Sequence, residues 1–417
     1  MDELIEVVES PVRFAHKKVS SPVAHCSFTT GTGTRDEDPR LNGIAHCLEH
    51  MFFKGTKSRS AATINSALEK LGGELNAYTT KEETVVHATV LREHLPKALS
   101  LISDMVFNST FPLQELQKEK EIIMEEISSC KDNPSEQIFE DFDSMLFDGH
   151  PLSMPILGTP ASVRRITPSE ITEFAKRNYH NSNYTLSVVA DITSGKLQQL
   201  VEKEFGHLAG ATSALPDDSP AAATRVPLPT ARHRGIKERV VKRRTHQTHC
   251  IIGATAYDIY DWKRIPLALL TNILGGPALN SRLNILLRER NPLVYTVDAT
   301  YTPYRDTGIF AIYFGTDRNN LRQASDIVMK ELFALRDKEI SPLRLKEARR
   351  QLTGQMAISL ENGENMCLAM GKSLLVYNAV EQQEQIREKI MKVTASDIMQ
   401  VASEILCEER LSTLLYQ

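Results

Sequence analysis

The residues of this chain that are best suited to chemistry are two histidines and a glutamate in the segment Gly43–His50, GIAHCLEH. Imidazole nitrogens bind zinc, and carboxylates act as general bases. His46 and His50 are four residues apart, so on a helix they lie one turn apart on the same face. Glu49, three residues after the first histidine, can reach a water molecule on a metal ion that the imidazoles hold. The spacing therefore predicts a hydrolytic zinc site.

The apolar residues of the same segment support a helix with two different faces. At about 100° per residue, the apolar stripe lies almost opposite the imidazoles and the carboxylate, so one face packs into a core. Four residues form that stripe: Ile44, Cys47, Leu48 and Met51. Cys47 is thus interpreted as a buried thiol and not as a ligand. An exposed polar helix face would explain the polarity but not the clustering, and the order H-x-x-E-H is the inverzincin signature.

A catalytic zinc ion usually has three protein ligands and an open position for water, so a third ligand is needed. The acidic segment Glu115–Ser129, ELQKEKEIIMEEISS, predicts a helix with one buried stripe. In this pattern Glu121 and Glu125 face solvent, whereas Glu119 and Glu126 lie at the shoulder of the stripe. Either shoulder residue could enter a site beside the first helix, and the periodicity does not choose between them. Solvated helix acids are the alternative, which fits Glu121 and Glu125 well and Glu119 and Glu126 less well.

The 417-residue chain divides at a proline-rich segment. Residues 211–235 contain four prolines and little periodic apolar pattern, which predicts a surface linker. The flanking segments, 1–210 and 236–417, are each of normal domain size. We therefore expect an N-terminal domain that carries the histidines and a C-terminal domain of similar length.

Both halves show the same order of elements, which indicates a gene duplication. In each half a buried strand, residues 24–33 or 248–257, precedes a loop, a helix, a strand with a Tyr-Thr pair, another strand and a long helix. Hairpins such as Leu75–Leu91 join some of the strands. The pattern predicts an α+β fold of two homologous domains, each a mostly antiparallel sheet packed with helices.

Composition and charge exclude several classes of protein. The chain has 49 Lys and Arg against 53 Asp and Glu, a net charge of −4, which leaves no electrostatic footprint for nucleic acid or an anionic membrane. No stretch reaches the roughly 18 apolar residues of a membrane helix, and the N-terminus lacks a secretory signal. The six cysteines are far apart without C-x-x-C, which predicts reduced thiols and a cytoplasmic protein.

Three segments together resemble the pitrilysin/insulinase family of metallopeptidases, especially its half-length members that are similar to mitochondrial processing peptidase. They are GIAHCLEHMFFKGT, GGELNAYTTKEETV and EKEIIMEEI, and the similarity extends over nearly the whole chain. In that family a glutamate 76 residues after the second histidine completes the zinc site. The resemblance implies one Zn²⁺ per chain, held by His46, His50 and Glu126. It also implies Glu49 as the general base and Glu119 as an auxiliary acid.

The resemblance extends to substrate-binding groups. The segment RLNILLRERNPLVYT is similar to the Arg…Tyr pair of the family and implies that Arg288 and Tyr295 bind the substrate carbonyl and the developing oxyanion. From the residues alone, a surface arginine and a core tyrosine is the simpler interpretation. The strand LNAYTT resembles the family's strand edge, where Asn76 and Ala77 would pair with the substrate backbone. An ordinary internal strand is the alternative.

The hypothesis from the sequence is a zinc-dependent endopeptidase that hydrolyses peptides or unfolded segments inside a closed chamber. Full-length members of the family resemble two copies of this layout in one chain. The resemblance thus implies a homodimer in which each active site is completed in trans. A non-catalytic peptide-binding or scaffold subunit is the alternative, and the complete motif disfavours it. A zinc hydrolase of small amides is a second alternative, which would not need the Arg…Tyr pair.

Overall fold

The computed structural model of the chain describes residues 4–10, 12–179, 183–208, 238–243 and 245–417. These residues form two compact units, and each unit is built on one sheet covered by helices. The α+β class and the two homologous domains predicted from the sequence are confirmed. The predicted linker, residues 211–235, lies outside the described residues.

The sheet of unit 1 carries a free edge next to the histidine segment. Its strands are β1 (Glu6–Val8), β2 (Phe14–Lys18), β3 (Val23–Thr30), β4 (Glu74–Thr79), β5 (Thr84–Leu91) and β6 (Tyr184–Ala190). They lie in the order β1-β2-β6-β3-β5-β4, and all neighbours are antiparallel except β2 and β6. Among the described strands, β4 pairs only with β5. The other backbone edge of β4 is therefore open to a further strand.

The sheet of unit 2 repeats this topology. Its strands are β7 (Glu238–Val241), β8 (Thr248–Ala256), β9 (Val294–Pro303), β10 (Gly308–Thr316) and β11 (Ser412–Tyr416). The order β7-β11-β8-β10-β9 matches β2-β6-β3-β5-β4 strand for strand, including one parallel pair at the same place. This correspondence is what a duplication predicts.

Helices cover the sheets in both units. The first eight are α1 (Ile44–Phe52), α2 (Ala61–Glu69), α3 (Leu95–Asn108), α4 (Leu113–Asp132), α5 (Pro134–Leu146), α6 (Pro160–Arg165), α7 (Pro168–Tyr179) and α8 (Ser194–Phe205). The others are α9 (Arg264–Gly275), α10 (Arg282–Asn284), α11 (Leu321–Asp337), α12 (Pro342–Glu361), α13 (Gly363–Tyr377), α14 (Gln383–Lys392) and α15 (Ala395–Ile405). Helix α10 continues as a π-helical turn over Ile285–Glu289. Among the described helices, none combines the length and the apolar character of a membrane span.

The core of unit 1 lies between the sheet and the helices that pack on one of its faces. The apolar stripe predicted for α1 is buried there, because Ile44, Cys47, Leu48 and Met51 are at most 1% exposed. Phe28 of β3 belongs to the same cluster, as do residues of α3 and α4. Burial of one side of α1 leaves its other side to carry the histidines and Glu49.

The compact units are discontinuous in sequence. Unit 1 consists mostly of the N-terminal half but also includes Ile358–Gln382, whereas unit 2 consists mostly of the C-terminal half and includes Ser129–Ser153. The boundaries predicted from the sequence, 1–210 and 236–417, stay a prediction about the duplicated halves. The compact units differ from those halves by the two exchanged segments.

Helix α13 lies in the exchanged segment of unit 1 and packs on a face of the sheet that is rich in hydroxyl groups. Ser187 Oγ donates a hydrogen bond to the Cys367 carbonyl at 2.7 Å, and Thr185 Oγ1 donates one to the Gly371 carbonyl at 3.0 Å. A Cβ atom at Gly371 would lie 2.8 Å from Thr29 Oγ1 and 3.0 Å from Ser187 Oγ. The helix can approach the sheet this closely because residue 371 has no side chain.

The same substitution, glycine to alanine, is therefore predicted to have opposite effects on stability at two helical positions. Gly371→Ala should destabilise the protein by about 1–3 kcal/mol, because the added methyl group is too large for the space between α13 and the sheet. Gly354→Ala, in the exposed middle of α12 where a Cβ meets open space, should stabilise it by roughly 0.5–1 kcal/mol through helix propensity. Urea unfolding of the two variants measures both effects, and a stabilised Gly371→Ala protein would contradict the close approach.

Candidate metal centre

The start of helix α1 is fixed by a buried glutamate that the sequence did not reveal. Glu37 Oε2 accepts hydrogen bonds from the Gly43 backbone N–H and the Asn42 side chain, and Oε1 accepts one from the Ala45 N–H, all at 2.8 Å. The carboxylate thus binds N–H groups that a helix leaves without intrahelical partners. Burial raises the pKa of Glu37 to about 7, while the three donors act in the opposite direction. An acid that caps a helix from several residues before its start follows no periodic pattern, so the sequence does not reveal it.

A glycine precedes the helix for a steric reason. Gly43 has φ +94°, and a Cβ atom there would lie 2.8 Å from the Leu157 carbonyl oxygen. Both the left-handed backbone and the close contact favour glycine. The helix begins at Ile44, and its histidine-bearing face is set from that point.

Three side chains converge at the predicted metal site. His46 Nε2 and His50 Nε2 each lie 3.7 Å from Glu126 Oε2, and one ligand atom from each of the three residues lies within 4.8 Å of the others. Ligand atoms bound to a tetrahedral zinc ion at about 2.0–2.1 Å lie about 3.3 Å apart. The two 3.7 Å separations are close to this value and too long for direct hydrogen bonds. The donor set and its spacing fit a zinc ion.

The second shoulder glutamate of α4 occupies a different place. Glu119 is 4% exposed, its Oε2 lies 3.0 Å from His50 Nδ1, and its Oε1 lies 2.7 Å from Lys54 Nζ. Glu119 therefore contacts the side of the His50 ring that faces away from Glu126. Glu121 and Glu125 are exposed, as their helical positions predict. Lys54, four residues after His50 and just beyond the end of α1, was not predicted from the sequence.

The protonation of His46 is suited to metal binding. Burial, together with the neighbouring His50, lowers the pKa of His46 to about 3. The imidazole is therefore neutral at physiological pH, which is the state that binds metals. Its Nδ1 atom is buried without a hydrogen-bond partner among the described residues, so packing and not a hydrogen bond orients this ring.

Glu49 is half-buried beside the centre and is held by the sheet. Thr79 Oγ1 donates a hydrogen bond to Glu49 Oε2 at 2.6 Å. Burial raises the pKa of Glu49, and the hydrogen bond from Thr79 and the nearby His50 lower it. Among the described residues, no donor contacts Oε1 of Glu49, so that oxygen can accept a proton.

The predicted Arg…Tyr pair lies in unit 2. Tyr295 is 52% exposed and is therefore not a core tyrosine. Its hydroxyl donates to the Asp317 carboxylate at 3.2 Å, and this hydrogen bond raises the pKa of Tyr295. Arg288 Nη1 donates to Asn284 Oδ1 at 3.1 Å. Arg288, Tyr295 and Asp317 line one shallow cavity at the start of β9, and Asp317 was not predicted.

The two residues predicted to pair with substrate lie on the open edge. Asn76 and Ala77 are in β4, where they face His87 and Val86 of β5 across one edge only. The alternative of an internal strand is therefore wrong for β4 among the described residues.

Two family models match consecutive parts of the chain. Residues 13–160 match the model of the insulinase family, peptidase family M16, and residues 165–352 match that of the peptidase M16 inactive domain. The second half contains no H-x-x-E-H, in agreement with the second description.

Similar proteins match most of this chain over most of their own length. An uncharacterized zinc protease of Bacillus subtilis, YmxG, is 31% identical over 91% of this chain and 89% of its own length. A Streptomyces coelicolor protein of the same description is 32% identical over 90% and 80%. The crystal structure of a Helicobacter pylori protease has a TM-score of 0.90 at 20% identity and covers all of both chains.

Proposed function

Because the chain belongs to the insulinase family of peptidases, peptidase family M16, we propose that it is a zinc-dependent endopeptidase of peptides and unfolded segments. The observation that carries the proposal is the convergence of His46, His50 and Glu126 within 4.8 Å, with Glu49 beside them. Zinc is also the metal in the names of its relatives. A complete set of site residues disfavours the alternative of a non-catalytic peptide-binding or scaffold subunit.

We assign the three converging residues as the ligands of one zinc ion per chain. Glu126 is preferred to Glu119 as the third ligand because its oxygen faces both Nε2 atoms. Glu119 already accepts from Lys54 and contacts His50 Nδ1. From that position Glu119 selects the tautomer of His50 in which Nε2 keeps its lone pair for the metal.

The zinc ion and Glu49 have different roles in the proposed hydrolysis. When bound, a zinc ion supplies a Lewis acid that activates water and polarises the scissile carbonyl. Glu49 Oε1 takes a proton from the attacking water and can pass it to the leaving amine. The burial that raises the pKa of Glu49 makes its carboxylate a better proton acceptor at neutral pH.

The substrate is proposed to bind as an added strand along the open edge of β4. Backbone groups of Asn76 and Ala77 would make the hydrogen bonds, which selects extended peptides without reading their sequence. A folded protein has no free strand to offer, so short or unfolded substrates are favoured. This preference agrees with the predicted closed chamber.

Arg288 and Tyr295 are proposed to stabilise the oxyanion in trans. They belong to unit 2 and the zinc ligands to unit 1, and full-length relatives resemble two copies of the layout. A homodimer in which the zinc centre of one chain meets Arg288 and Tyr295 of the partner subunit would rebuild that arrangement. Tyr295 must exchange its hydrogen bond to Asp317 for one to the substrate.

The cytoplasmic location stays a prediction, supported by six free cysteines.

The first prediction from the proposed function separates metal binding from catalysis. The wild-type chain should hold one zinc ion and cleave an unbiased peptide pool, as read by metal analysis and mass spectrometry. Glu49→Gln should keep zinc but lose at least about 10²–10⁴-fold in turnover, because only the base is removed. His50→Ala should lose zinc and activity together. Intact peptides with a fully loaded wild type would favour the scaffold or small-amide alternatives, and a zinc-free Glu49→Gln protein would make Glu49 a ligand.

The second prediction ranks the two glutamates of α4. Glu126→Gln should weaken zinc binding more than Glu119→Gln, for which a loss of about 10–100-fold is expected of a group that only supports a ligand. Competition with a chromophoric chelator gives both dissociation constants. Glu121→Gln, an exposed carboxylate of the same helix, is the matched control and should bind zinc like the wild type. The reverse order would assign the ligand role to Glu119.

The third prediction tests whether the active site is completed in trans. Glu49→Gln and Tyr295→Phe chains should each be inactive, and mixing them with subunit exchange should recover part of the activity. A mixed dimer then has one intact site, formed by the zinc centre of the Tyr295→Phe chain and the unchanged tyrosine of its partner. If each chain used its own tyrosine, every site in the mixture would carry a lesion and the activity would stay at the single-mutant level.

A further inference from the structure

The last residue of the open edge strand contacts the proposed catalytic base. Thr79 ends β4, and its hydroxyl donates to Glu49 Oε2 at 2.6 Å. This hydrogen bond joins the helix that carries the zinc motif to the strand on which the substrate would lie. A donor to a carboxylate is among the stronger hydrogen bonds in proteins. The contact ties one carboxylate oxygen to the sheet and leaves the other for chemistry.

Thr79 lies between a paired strand and an anchored turn, because its backbone pairs with β5 and the residues after it contact neighbouring segments. In residues 80–83, Lys81 Nζ donates to the Met154 carbonyl at 2.7 Å, and Glu83 forms an ion pair with Lys372 of α13. The Thr80 hydroxyl accepts hydrogen bonds from two backbone N–H groups of the same turn. A residue whose backbone is held on both sides can define the position of its partner. Thr79 therefore has the rigidity that an orienting group needs.

The position of Thr79 along the strand relates the base to the substrate. Asn76 and Ala77 lie three and two residues before it in β4, about 7–10 Å at the usual rise per residue. A peptide paired with these residues is thus placed at a fixed distance from the group that holds Glu49. Misplacement of a catalytic group by even 1 Å can cost about 10²-fold in rate.

We propose that Thr79 is a positioning residue that fixes one oxygen of Glu49, so that the other faces the attacking water in register with a substrate strand on β4. The inference rests on the proposed peptidase function. It assigns to Thr79 an effect on turnover that acts through Glu49. It assigns no contact between the Thr79 side chain and the substrate.

The experiment compares two substitutions at residue 79 with a matched control. Thr79→Val keeps the shape but removes the hydroxyl, and it should lower kcat about 10- to 100-fold, the range expected for a lost hydrogen bond to a charged group. KM for a quenched fluorescent peptide chosen from the wild-type digest, and zinc affinity, should both stay unchanged. Thr79→Ser keeps the donor and should restore most of kcat. Thr89→Val, on the adjacent strand with its hydroxyl bonded to His25, should behave like the wild type.

A second readout does not depend on activity. In zinc-free protein, urea unfolding of Thr79→Val, Glu49→Ala and the double variant forms a double-mutant cycle. The two effects should be non-additive, because removal of Glu49 leaves the Thr79 hydroxyl without its acceptor. Additive effects would overturn the proposal, as would a Thr79→Val enzyme with full kcat or one changed only in KM. An inactive wild type would overturn the peptidase function, and the cycle would then still decide whether Thr79 holds Glu49.

Discussion

The orientation of helix α1 is the constraint on which the rest of the site depends. One side of the helix is buried in the core of unit 1, so its opposite side must carry the imidazoles and Glu49. Glu37 binds the first N–H groups of the helix, and Glu119 contacts His50 from α4. Thr79 holds Glu49 from the sheet. Each of these contacts reaches a different residue of α1, so together they leave the helix little freedom to rotate.

The duplication explains why two sheets of the same topology serve different purposes. Both units present an edge strand, β4 in the first and β9 in the second, at the same place in the strand order. Only the helix of the first unit carries H-x-x-E-H, while the second unit places Arg288 and Tyr295 beside its edge strand. The shared scaffold thus carries the candidate metal ligands in one copy and the Arg…Tyr pair in the other.

The sequence predicted those features of the site that follow from the regular spacing of residues along one helix. The buried stripe of α1 and the distinction between exposed and shoulder glutamates of α4 both follow from 3.6 residues per turn. Glu37, Thr79 and Asp317 were missed because each acts through hydrogen bonds to residues outside its own helix, strand or turn, and such bonds follow no periodic pattern. The exchange of Ile358–Gln382 into unit 1 was missed for the same reason, since the apolar pattern of a helix does not show which sheet it packs on.

The late position of helix α13 in the sequence has a consequence for the order in which the layers of unit 1 assemble. The face of the sheet that it covers carries Ser27, Thr29 and Ser187, whose hydroxyl groups suit contact with water as well as with helix carbonyls. A nascent chain leaving the ribosome can therefore build the first sheet with this face hydrated. The last layer of unit 1 arrives only when residues beyond 358 have emerged. Synthesis of most of the polypeptide thus precedes completion of the half that carries the histidines.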